Sequence, residues 1–250
     1  MAKRIVSLFP EHVCYVEAFG GAAWVMFAKD PAISKHEVLN DRHNELMNFY
    51  EIVRTKKDQL FESMRWDIKS RSIYNQLRKS DPAQMTTIER ARRFYWLSVC
   101  SFGGSFGDAF GTDKKGAAPA HFDKINNRLE IANDRLKKVT IECKDYQDLA
   151  KVYDYKDALW YLDPPYLNTI KYGYADDIDL GEFETFAKSL KGKVAISHNV
   201  NEQIKEAFKG WNFIDLGRRQ NAIGNNGKIS GGHAFEWLIT NYDPTKSDGV

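Results

Sequence analysis

The sequence has few of the features that mark secreted, membrane-spanning or zinc-bound proteins. Its three cysteines, Cys14, Cys100 and Cys143, form no Cys-x-x-Cys pair and show no cysteine–histidine spacing typical of zinc ligands. No apolar run approaches the roughly 20 residues needed to cross a bilayer, and the first residues lack the apolar segment of a signal peptide. We therefore expect reduced thiols, no metal, no membrane partner and a cytoplasmic location.

A net charge of either sign is also nearly absent, because 36 basic residues oppose 34 acidic ones. The charges are unevenly distributed, however, and residues 54–93 hold eleven lysines and arginines against five acids. A local positive excess favours a surface that faces a polyanion, since neutralising phosphates releases counterions. An ordinary solvated helical surface is the alternative explanation.

The chain has 250 residues, of which 43% are hydrophobic, enough for a large core with an inserted module. Short apolar runs with little alternation indicate strands that are buried on both faces of a parallel sheet. Seven strands are predicted, at residues 14–19, 37–40, 139–143, 158–162, 193–198, 212–216 and 236–242. Helical patterns at 22–29, 45–54 and 180–190 lie between strands, which predicts an α/β fold with a terminal hairpin formed by the last two strands.

Residues 51–137 interrupt this alternation of strands and helices. Helical patterns at 58–79, 87–102 and 125–138 accompany a glycine-rich segment at 103–116. We predict that this basic, mostly helical stretch is a separate recognition module, and that residues 1–50 and 138–250 form the main domain.

Neither an internal repeat nor a low-complexity segment is visible, which excludes a solenoid. Aromatic residues at helix or strand positions indicate a core. On that ground Trp24, Trp66, Trp96 and Trp211 are predicted to be core residues.

Two candidate binding features follow the first two predicted strands. The segment Glu17-Ala18-Phe19-Gly20-Gly21 precedes an apolar helix, and small residues there let a ligand approach the backbone, although tight turns also use glycine and GxGxxG is absent. Asp41 closes the second strand about twenty residues later, where an acid can accept hydrogen bonds from ribose hydroxyls. Capping of the next helix by Asn40 or Asp41 is the alternative. The combination favours nucleoside binding.

The most specific signal is Asp163-Pro164-Pro165-Tyr166, directly after the apolar strand at 158–162. A rigid turn would explain the two prolines, which preset φ and lack N–H donors. At the carboxyl end of a strand, however, the Asp163 carboxylate and the Pro164 carbonyl are two acceptors on a stiff backbone. They can hold an exocyclic amino group while Tyr166 stacks on the aromatic ring that carries it.

Together these motifs resemble the Dam-like, D12-class adenine-N6 DNA methyltransferases, in particular those of phages and prophages. The matching pieces are residues 16–21, 40–50, 93–104, 141–146, 161–166, 195–199 and 236–242. The resemblance implies a Rossmann-like S-adenosylmethionine-dependent methyltransferase fold, with a seven-stranded mixed sheet, helices on both faces and a helical DNA-recognition insert. It also implies that a monomer transfers a methyl group from S-adenosylmethionine to N6 of a flipped-out adenine in double-stranded DNA, beside the nucleoid. Both a restriction–modification partner and an orphan enzyme stay open.

The resemblance also assigns roles to individual residues. The implied catalytic residues are Asp163, Pro164, Pro165 and Tyr166. The implied cofactor contacts are Glu17, Ala18, Phe19, Gly20, Gly21, Asp41, Asp145, Tyr146 and Asp163. The DNA-binding candidates are Arg92, Arg93, Lys114, Lys115, Arg218, Arg219 and Lys228.

Other functions stay open at this point. The acceptor can be adenine in RNA, N4 of cytosine or a glutamine amide, although an aspartate at position 163 argues against protein and ribosomal targets. A catalytically silent DNA-binding remnant is a further alternative, because the sequence begins after the position of a Gly-Gly-Lys stretch that relatives carry. No pattern indicates the target sequence, so site-specific and relaxed methylation are both expected possibilities.

Overall fold

The computed structural model describes residues 1–101, 106–111, 122–165, 178–218 and 235–244, which belong to two compact units. The sheet unit comprises the described parts of Met1–Arg42, Lys138–Gln220 and Gly232–Val250, and the helical unit includes the described parts of His43–Lys137. The helical unit begins ahead of the predicted boundary at residue 51, because helix α3 (Asn44–Met64) runs through that position.

Seven strands form one mixed sheet, as the sequence predicts. They are β1 (Cys14–Glu17), β2 (His36–Asn40), β3 (Val139–Glu142), β4 (Ala158–Leu162), β5 (Lys193–His198), β6 (Asn212–Arg218) and β7 (Phe235–Thr240). Their order is β3-β2-β1-β4-β5-β7-β6, with the first five parallel to one another and with β7 antiparallel to both β5 and β6. The chain moves outward from β1 in one direction and from β4 in the other, so the strand order reverses between these two neighbours. Ligands of doubly wound sheets bind at the carboxyl ends of the strands at this place.

The helices of the sheet unit are α1 (Ala2–Val6), α2 (Trp24–Ala28), α7 (Tyr146–Tyr153), α8 (Leu180–Ser189) and α9 (Glu202–Ala207). Alternate residues of the strands, such as Val16, Trp160 and Ile196, form an apolar core together with Phe183 and Leu149 from α8 and α7. Because side chains of a strand alternate between faces, the intervening positions point to the opposite face of the sheet. All five residues of β4 are buried, which explains why its sequence is continuously apolar.

The opposite face of the sheet is buried but partly polar. An ion pair joins Lys29, just after α2, to Glu37 in β2, with 3.0 Å between Nζ and Oε1. Their side chains are only 0% and 5% exposed, so water does not screen the pair. The Lys29 ammonium also lies 5.3 Å from the centre of the Tyr15 ring of β1. These contacts hold the end of α2 against the first two strands.

The helical unit contains α3, α4 (Arg71–Lys79), α5 (Thr87–Val99) and α6 (Phe122–Leu136) among its described residues. Helix α3 packs on both α5 and α6. The sequence pattern at 58–79 predicts helix throughout, but α3 ends at Met64 and α4 begins at Arg71. The chain leaves the helix there because Ser70 caps α4 and because the Asp67 carboxylate accepts hydrogen bonds from Trp96 and Arg92 of α5.

The prediction that four tryptophans belong to the core is only half right. Trp96 is buried, and Trp211 packs against the core of the sheet unit. Trp24 and Trp66 are instead 73% and 83% exposed, because Trp24 lies on the outer side of α2 and Trp66 lies in the loop between α3 and α4. Among the described residues, none of the helices combines the length and the apolar character of a membrane span.

The buried ion pair makes a testable contribution to stability. We expect Lys29→Met to lower the free energy of unfolding by about 3–5 kcal/mol, because it leaves the Glu37 carboxylate buried without its cation. The double variant Lys29→Met/Glu37→Leu removes both charges and should recover most of that loss. Urea unfolding followed by circular dichroism measures both variants, and a double variant no more stable than the single one would contradict this account.

Candidate active site

The candidate site lies where β1 and β4 run side by side to their carboxyl ends. Glu17, the last residue of β1, is the register partner of Tyr161 in β4, and the Ala18 amide donates a hydrogen bond to the Tyr161 carbonyl, 3.2 Å away. The two loops that leave these strands therefore start at neighbouring positions on the same edge of the sheet. One loop carries Gly20 and Gly21, and the other begins with Asp163.

The glycine loop after β1 passes very close to the end of β2. The Gly20 amide donates to the Asn40 carbonyl over 2.7 Å. A Cβ atom at Gly20 would lie 2.7 Å from Leu39 Cδ1 and 2.9 Å from the Asn40 carbonyl oxygen, so only glycine fits without displacing backbone. Gly21 adopts a φ of +47°, with open space where its side chain would be. The loop therefore packs tightly against the end of β2 at Gly20 and leaves open space beside Gly21.

Ala23 completes this loop with an unusual backbone conformation for its residue type. Its φ and ψ of 53° and 33° are left-handed, and it is the N-cap residue of α2. Alanine at such a position carries strain of about 1–3 kcal/mol that the surrounding structure must offset. Since strained residues cluster at ligand-binding sites, this conformation supports the assignment of the loop as part of a site.

Asn40 ties together the ends of three strands. Its Nδ2 donates to the carbonyl of Ala18 after β1, 2.9 Å away, and to the carbonyl of Lys144 after β3, 3.0 Å away. Its Oδ1 accepts from the Lys144 amide over 2.9 Å. The side chain is 1% exposed, so these bonds form away from water. The sequence predicts Asn40 only as a possible helix cap, although a polar residue at the end of a buried strand is a signal for such a network.

Asp41 contacts the glycine loop instead of capping the following helix. Its Oδ2 accepts a hydrogen bond from the Gly21 amide over 2.9 Å, and the residue is half-buried. His43 is the N-cap of α3, with its Nδ1 accepting from the Leu46 amide. The capping alternative for Asn40 and Asp41 is therefore wrong, and the acid at the end of β2 is fixed next to the loop after β1.

Asp145 and Tyr146 follow β3 at the same edge of the sheet. Asp145 caps α7, because its Oδ1 accepts from the Gln147 amide at 2.9 Å, and it remains half-buried. The Tyr146 ring is 7% exposed and packs on Phe19 with 5.2 Å between ring centres. Burial raises the pKa of the Tyr146 hydroxyl above its usual value. Tyr146 is therefore placed to support the half-buried Phe19 ring.

Glu17 and Ala18 lie beneath the loop and are only 2% and 1% exposed. The Tyr15 hydroxyl donates to Glu17 Oε2 over 2.7 Å. Burial, and then the neighbouring Glu17 carboxylate, raise the pKa of the Tyr15 hydroxyl well above its usual value, so it stays protonated and keeps donating. The structure thus gives Glu17 a supporting position, while Phe19, Gly20 and Gly21 form the loop above it.

The Asp-Pro-Pro corner follows β4 directly. Asp163 and Pro165 are exposed and Pro164 is buried, so the carboxylate stands at the surface on a backbone anchored by its neighbour. Below the corner, the Tyr161 hydroxyl donates to Ser197 Oγ in β5 over 2.9 Å. Burial raises the pKa of that hydroxyl well above its usual value, and the nearby Asp163 charge acts in the same direction. Tyr166 lies outside the described residues.

The candidate DNA contacts of α5 turn inward. Arg92 pairs with Asp67, with 2.6 Å between Nε and Oδ2, and is about a quarter exposed. Arg93 is 8% exposed, and its Nε donates to the Leu77 carbonyl over 2.8 Å. The structure therefore argues against a phosphate contact by Arg93, which joins α4 to α5. The side chain of Arg218, together with Lys114, Lys115, Arg219 and Lys228, lies outside the described residues.

Enzymes built on a doubly wound α/β sheet bind their ligands at the carboxyl ends of the strands where the strand order reverses, which here lies between β1 and β4. Over residues 1–221 the sequence matches the model of the D12 class N6 adenine-specific DNA methyltransferases, and the chain belongs to this family. Its reaction is therefore methyl transfer to N6 of adenine in DNA, with S-adenosylmethionine as the methyl donor that the resemblance implies.

Two relatives extend this family assignment. The Type II methyltransferase M.MjaIII of Methanocaldococcus jannaschii is 24% identical, over 91% of this chain and 88% of that protein. The Type II methyltransferase M1.LlaDCHI of Lactococcus lactis subsp. cremoris is 25% identical, over 97% of this chain and 91% of that protein. The crystal structure of an rRNA methylase from Streptococcus thermophilus covers 96% of this chain and 93% of its own, at 10% identity and a TM-score of 0.36, too distant to bear on function.

The network around Asn40 predicts a large loss of stability on truncation. Asn40→Ala should lower the free energy of unfolding by about 1–3 kcal/mol, because it leaves the Ala18 and Lys144 carbonyls buried without their donor. Urea unfolding measures the loss. Asn126→Ala, at an exposed position of α6, is the matched control and should stay within about 0.5 kcal/mol of the wild type. Equal effects of the two substitutions would refute the assignment.

Proposed function

We propose that the loops after β1, β2 and β3 hold S-adenosylmethionine, and that Asp163 and Pro164 hold the amino group of a flipped-out adenine. One observation carries this assignment. The exposed Asp163 carboxylate directly follows the buried strand β4, whose neighbour β1 opens into the close-packed glycine loop. The glycine loop and the corner that carries the Asp163 carboxylate thus leave adjacent strands.

The residues around the glycine loop fit a nucleoside-containing cofactor. The open side of Gly21 offers room next to the backbone, and the half-buried Phe19 ring offers an apolar face. A carboxylate accepts several hydrogen bonds at once, so Asp41 can hold the Gly21 amide and also accept from ribose hydroxyls. Asp145 is placed in the same way after β3. When bound, S-adenosylmethionine supplies a methyl group carried by a positively charged sulfur.

The Asp163 corner supplies acceptors for the adenine amino group. The nitrogen of that group is a weak nucleophile, because its lone pair is delocalised into the ring. If the Asp163 carboxylate and the Pro164 carbonyl accept hydrogen bonds from its two N–H groups, the nitrogen moves toward tetrahedral geometry and its lone pair becomes available. Fixed acceptors of this kind act through positioning and electrostatics, without a covalent enzyme intermediate. Pro165 stiffens the corner, and Tyr166 is proposed to stack on the base.

Access to the amino group requires the adenine to leave the base stack. Extruding a base from duplex DNA costs a few kcal/mol, which contacts to phosphates and grooves must offset. We propose that residues 51–137 supply such contacts, and that the protein acts on double-stranded DNA as a monomer in the cytoplasm. Arg92 stays a candidate contact, and Lys114, Lys115, Arg218, Arg219 and Lys228 stay predictions.

The glycine loop provides a test of the cofactor site. Gly20→Ala should reduce the affinity for S-adenosylmethionine at least about tenfold, because the added Cβ meets the Asn40 carbonyl and pushes the loop away from β2. Isothermal titration calorimetry measures the affinity. The control, Asn126→Ala, changes an exposed residue of α6 in the helical unit and should leave the affinity unchanged. An unaltered affinity in Gly20→Ala would remove this loop from the cofactor site.

The acceptor role of Asp163 has its own test. Asp163→Ala should abolish transfer of a labelled methyl group to duplex DNA, while duplex binding stays within about twofold of the wild type, because the side chain is needed only for chemistry. Asp148→Ala is the control, since it removes an exposed aspartate of α7 that pairs with Lys151. Turnover near the wild-type level in Asp163→Ala would refute the mechanism. Labelling of RNA in preference to DNA would instead favour the alternative acceptor.

A further inference from the structure

Helix α4 is the described helix of the helical unit that carries no acidic residue. Its sequence, Arg-Ser-Ile-Tyr-Asn-Gln-Leu-Arg-Lys, contains three cations, and the acid-free stretch extends from residue 68 to residue 80. In contrast, α3, α5 and α6 all contain glutamate within the described part of the unit. Half of the positive excess noted for residues 54–93 therefore lies on one short helix.

The cations of α4 differ in their contacts from six other cations of the unit. Seven ion pairs engage those six cations, which are Arg54, Lys57, Arg65, Arg90, Arg92 and Lys137. Within the described residues, Arg71, Arg78 and Lys79 are exposed and make no ion pair. Their charges are thus available to an external polyanion at little cost, because no internal acid has to be released.

The helix dipole explains only part of this charge pattern. Cations in the last turn of a helix, such as Arg78 and Lys79, are stabilising there. Arg71 is the first residue of α4, however, where the same dipole disfavours a positive charge. Its guanidinium lies 4.9 Å from the centre of the Phe110 ring, which holds it in place at the surface. Helix stability therefore does not account for Arg71.

The cations share one face of α4 with side chains of types that can bind base edges. The buried face carries Tyr74 and the half-buried Leu77, which pack in the core of the helical unit against α5. The exposed face consists of Arg71, Ser72, Asn75, Gln76, Arg78 and Lys79. Asn and Gln can bind the adenine edge in the major groove through two hydrogen bonds, and Ser and Arg also contact base edges there. This face combines phosphate-binding with base-reading groups.

Two exposed apolar side chains lie beside this face. Trp66 is 83% exposed and Ile68 is 65% exposed, both in the loop that leads into α4. The Arg65 guanidinium lies 5.1 Å from the centre of the Trp66 ring. Adjacent large apolar side chains at a surface mark a contact with a partner, and basic neighbours indicate that the partner is anionic.

We propose that α4 is the helix that enters the major groove of the DNA substrate, with Asn75 and Gln76 at base edges and with Arg71, Arg78 and Lys79 on phosphates. An α-helix with its side chains is about 10–12 Å across, so the major groove, which is about 12 Å wide, admits one helix. The inference rests on the proposed function for the identity of the nucleic acid. It assigns sequence discrimination to α4, where the sequence alone showed no base-reading pattern.

The phosphate contacts are tested by the salt dependence of binding of the full-length protein to a labelled DNA duplex. Arg78→Gln/Lys79→Gln should reduce the slope of log affinity against log salt by about two, one unit for each lost phosphate contact. Lys205→Gln/Lys209→Gln removes the same charge from α9 and the turn after it, in the sheet unit, and should leave the slope unchanged. Equal slopes in the wild type and the α4 variant would overturn the proposal.

The base contacts are tested by sequencing the methylated adenines of a plasmid. Asn75→Ala/Gln76→Ala should broaden the set of methylated sites, with a roughly five- to 150-fold loss of preference for the wild-type site, and should keep the wild-type salt slope. An unchanged set of sites in this variant would overturn the base contacts. A wild type that methylates adenines in every sequence context would overturn them as well.

Two further outcomes separate this proposal from the proposed function. Binding does not require methyl transfer. If the wild type methylates no DNA, but the α4 variant still has a smaller salt slope of DNA binding than the wild type, the proposed function is refuted and the DNA-binding face of α4 is retained. Double-stranded RNA has a deep, narrow major groove that a helix cannot enter. An equal loss of slope on RNA and on DNA would therefore overturn the groove contact. Thermal unfolding by circular dichroism checks that both variants fold as the wild type does.

Discussion

The site depends on the close approach of the strand ends, which one buried asparagine holds together. Strands β1, β2 and β3 end at the same edge of the sheet, and each end leaves backbone groups that need partners away from water. Asn40 supplies both a donor and an acceptor, and so satisfies carbonyls after β1 and β3 as well as an amide after β3. The absence of a side chain at Gly20 lets the first loop close onto the second strand. Without these two residues, the loops would have no common anchor.

The two faces of the sheet stabilise the strand ends in different ways. The face covered by α7 and α8 is apolar and supplies the hydrophobic contribution to stability. The other face places hydroxyls and carboxylates of Tyr15, Glu17 and Tyr161 directly below the loops, where burial keeps both phenols protonated. Directional hydrogen bonds fix positions more tightly than apolar contacts do, so a polar layer suits the support of loops that must hold a fixed geometry.

Strand positions and motif order were predictable from the sequence, because buried parallel strands leave continuous apolar runs that end at turn-forming residues such as glycine, proline, asparagine and aspartate. All seven strands were found in this way, and β4 and β5 match their predicted bounds. The contacts of single polar side chains were not predictable. Arg93 and Trp66 occupy helical patterns of the same kind, yet Arg93 is buried and Trp66 is exposed, since α3 ends before Trp66 and Asp67 turns the chain. Tertiary hydrogen bonds decided these cases.

The residues proposed for methyl transfer and those proposed to contact base edges lie on different elements. This explains why the Asp163–Tyr166 string was recognisable in the sequence and the exposed face of α4 was not. In the proposed function, the acceptors for the amino group sit on a rigid strand end, which restricts position 163 and its neighbours to a few residue types and leaves a recognisable string. A helix that reads a groove needs only an exposed face with suitable donors, and many residue types satisfy that need at each position. Within α4 the inward positions Tyr74 and Leu77 are constrained by packing, and Tyr74 also by the hydrogen bonds of its hydroxyl to Ser101 and Asp108. The outward positions can therefore vary with the target sequence while the fold and the methyl-transfer site remain the same.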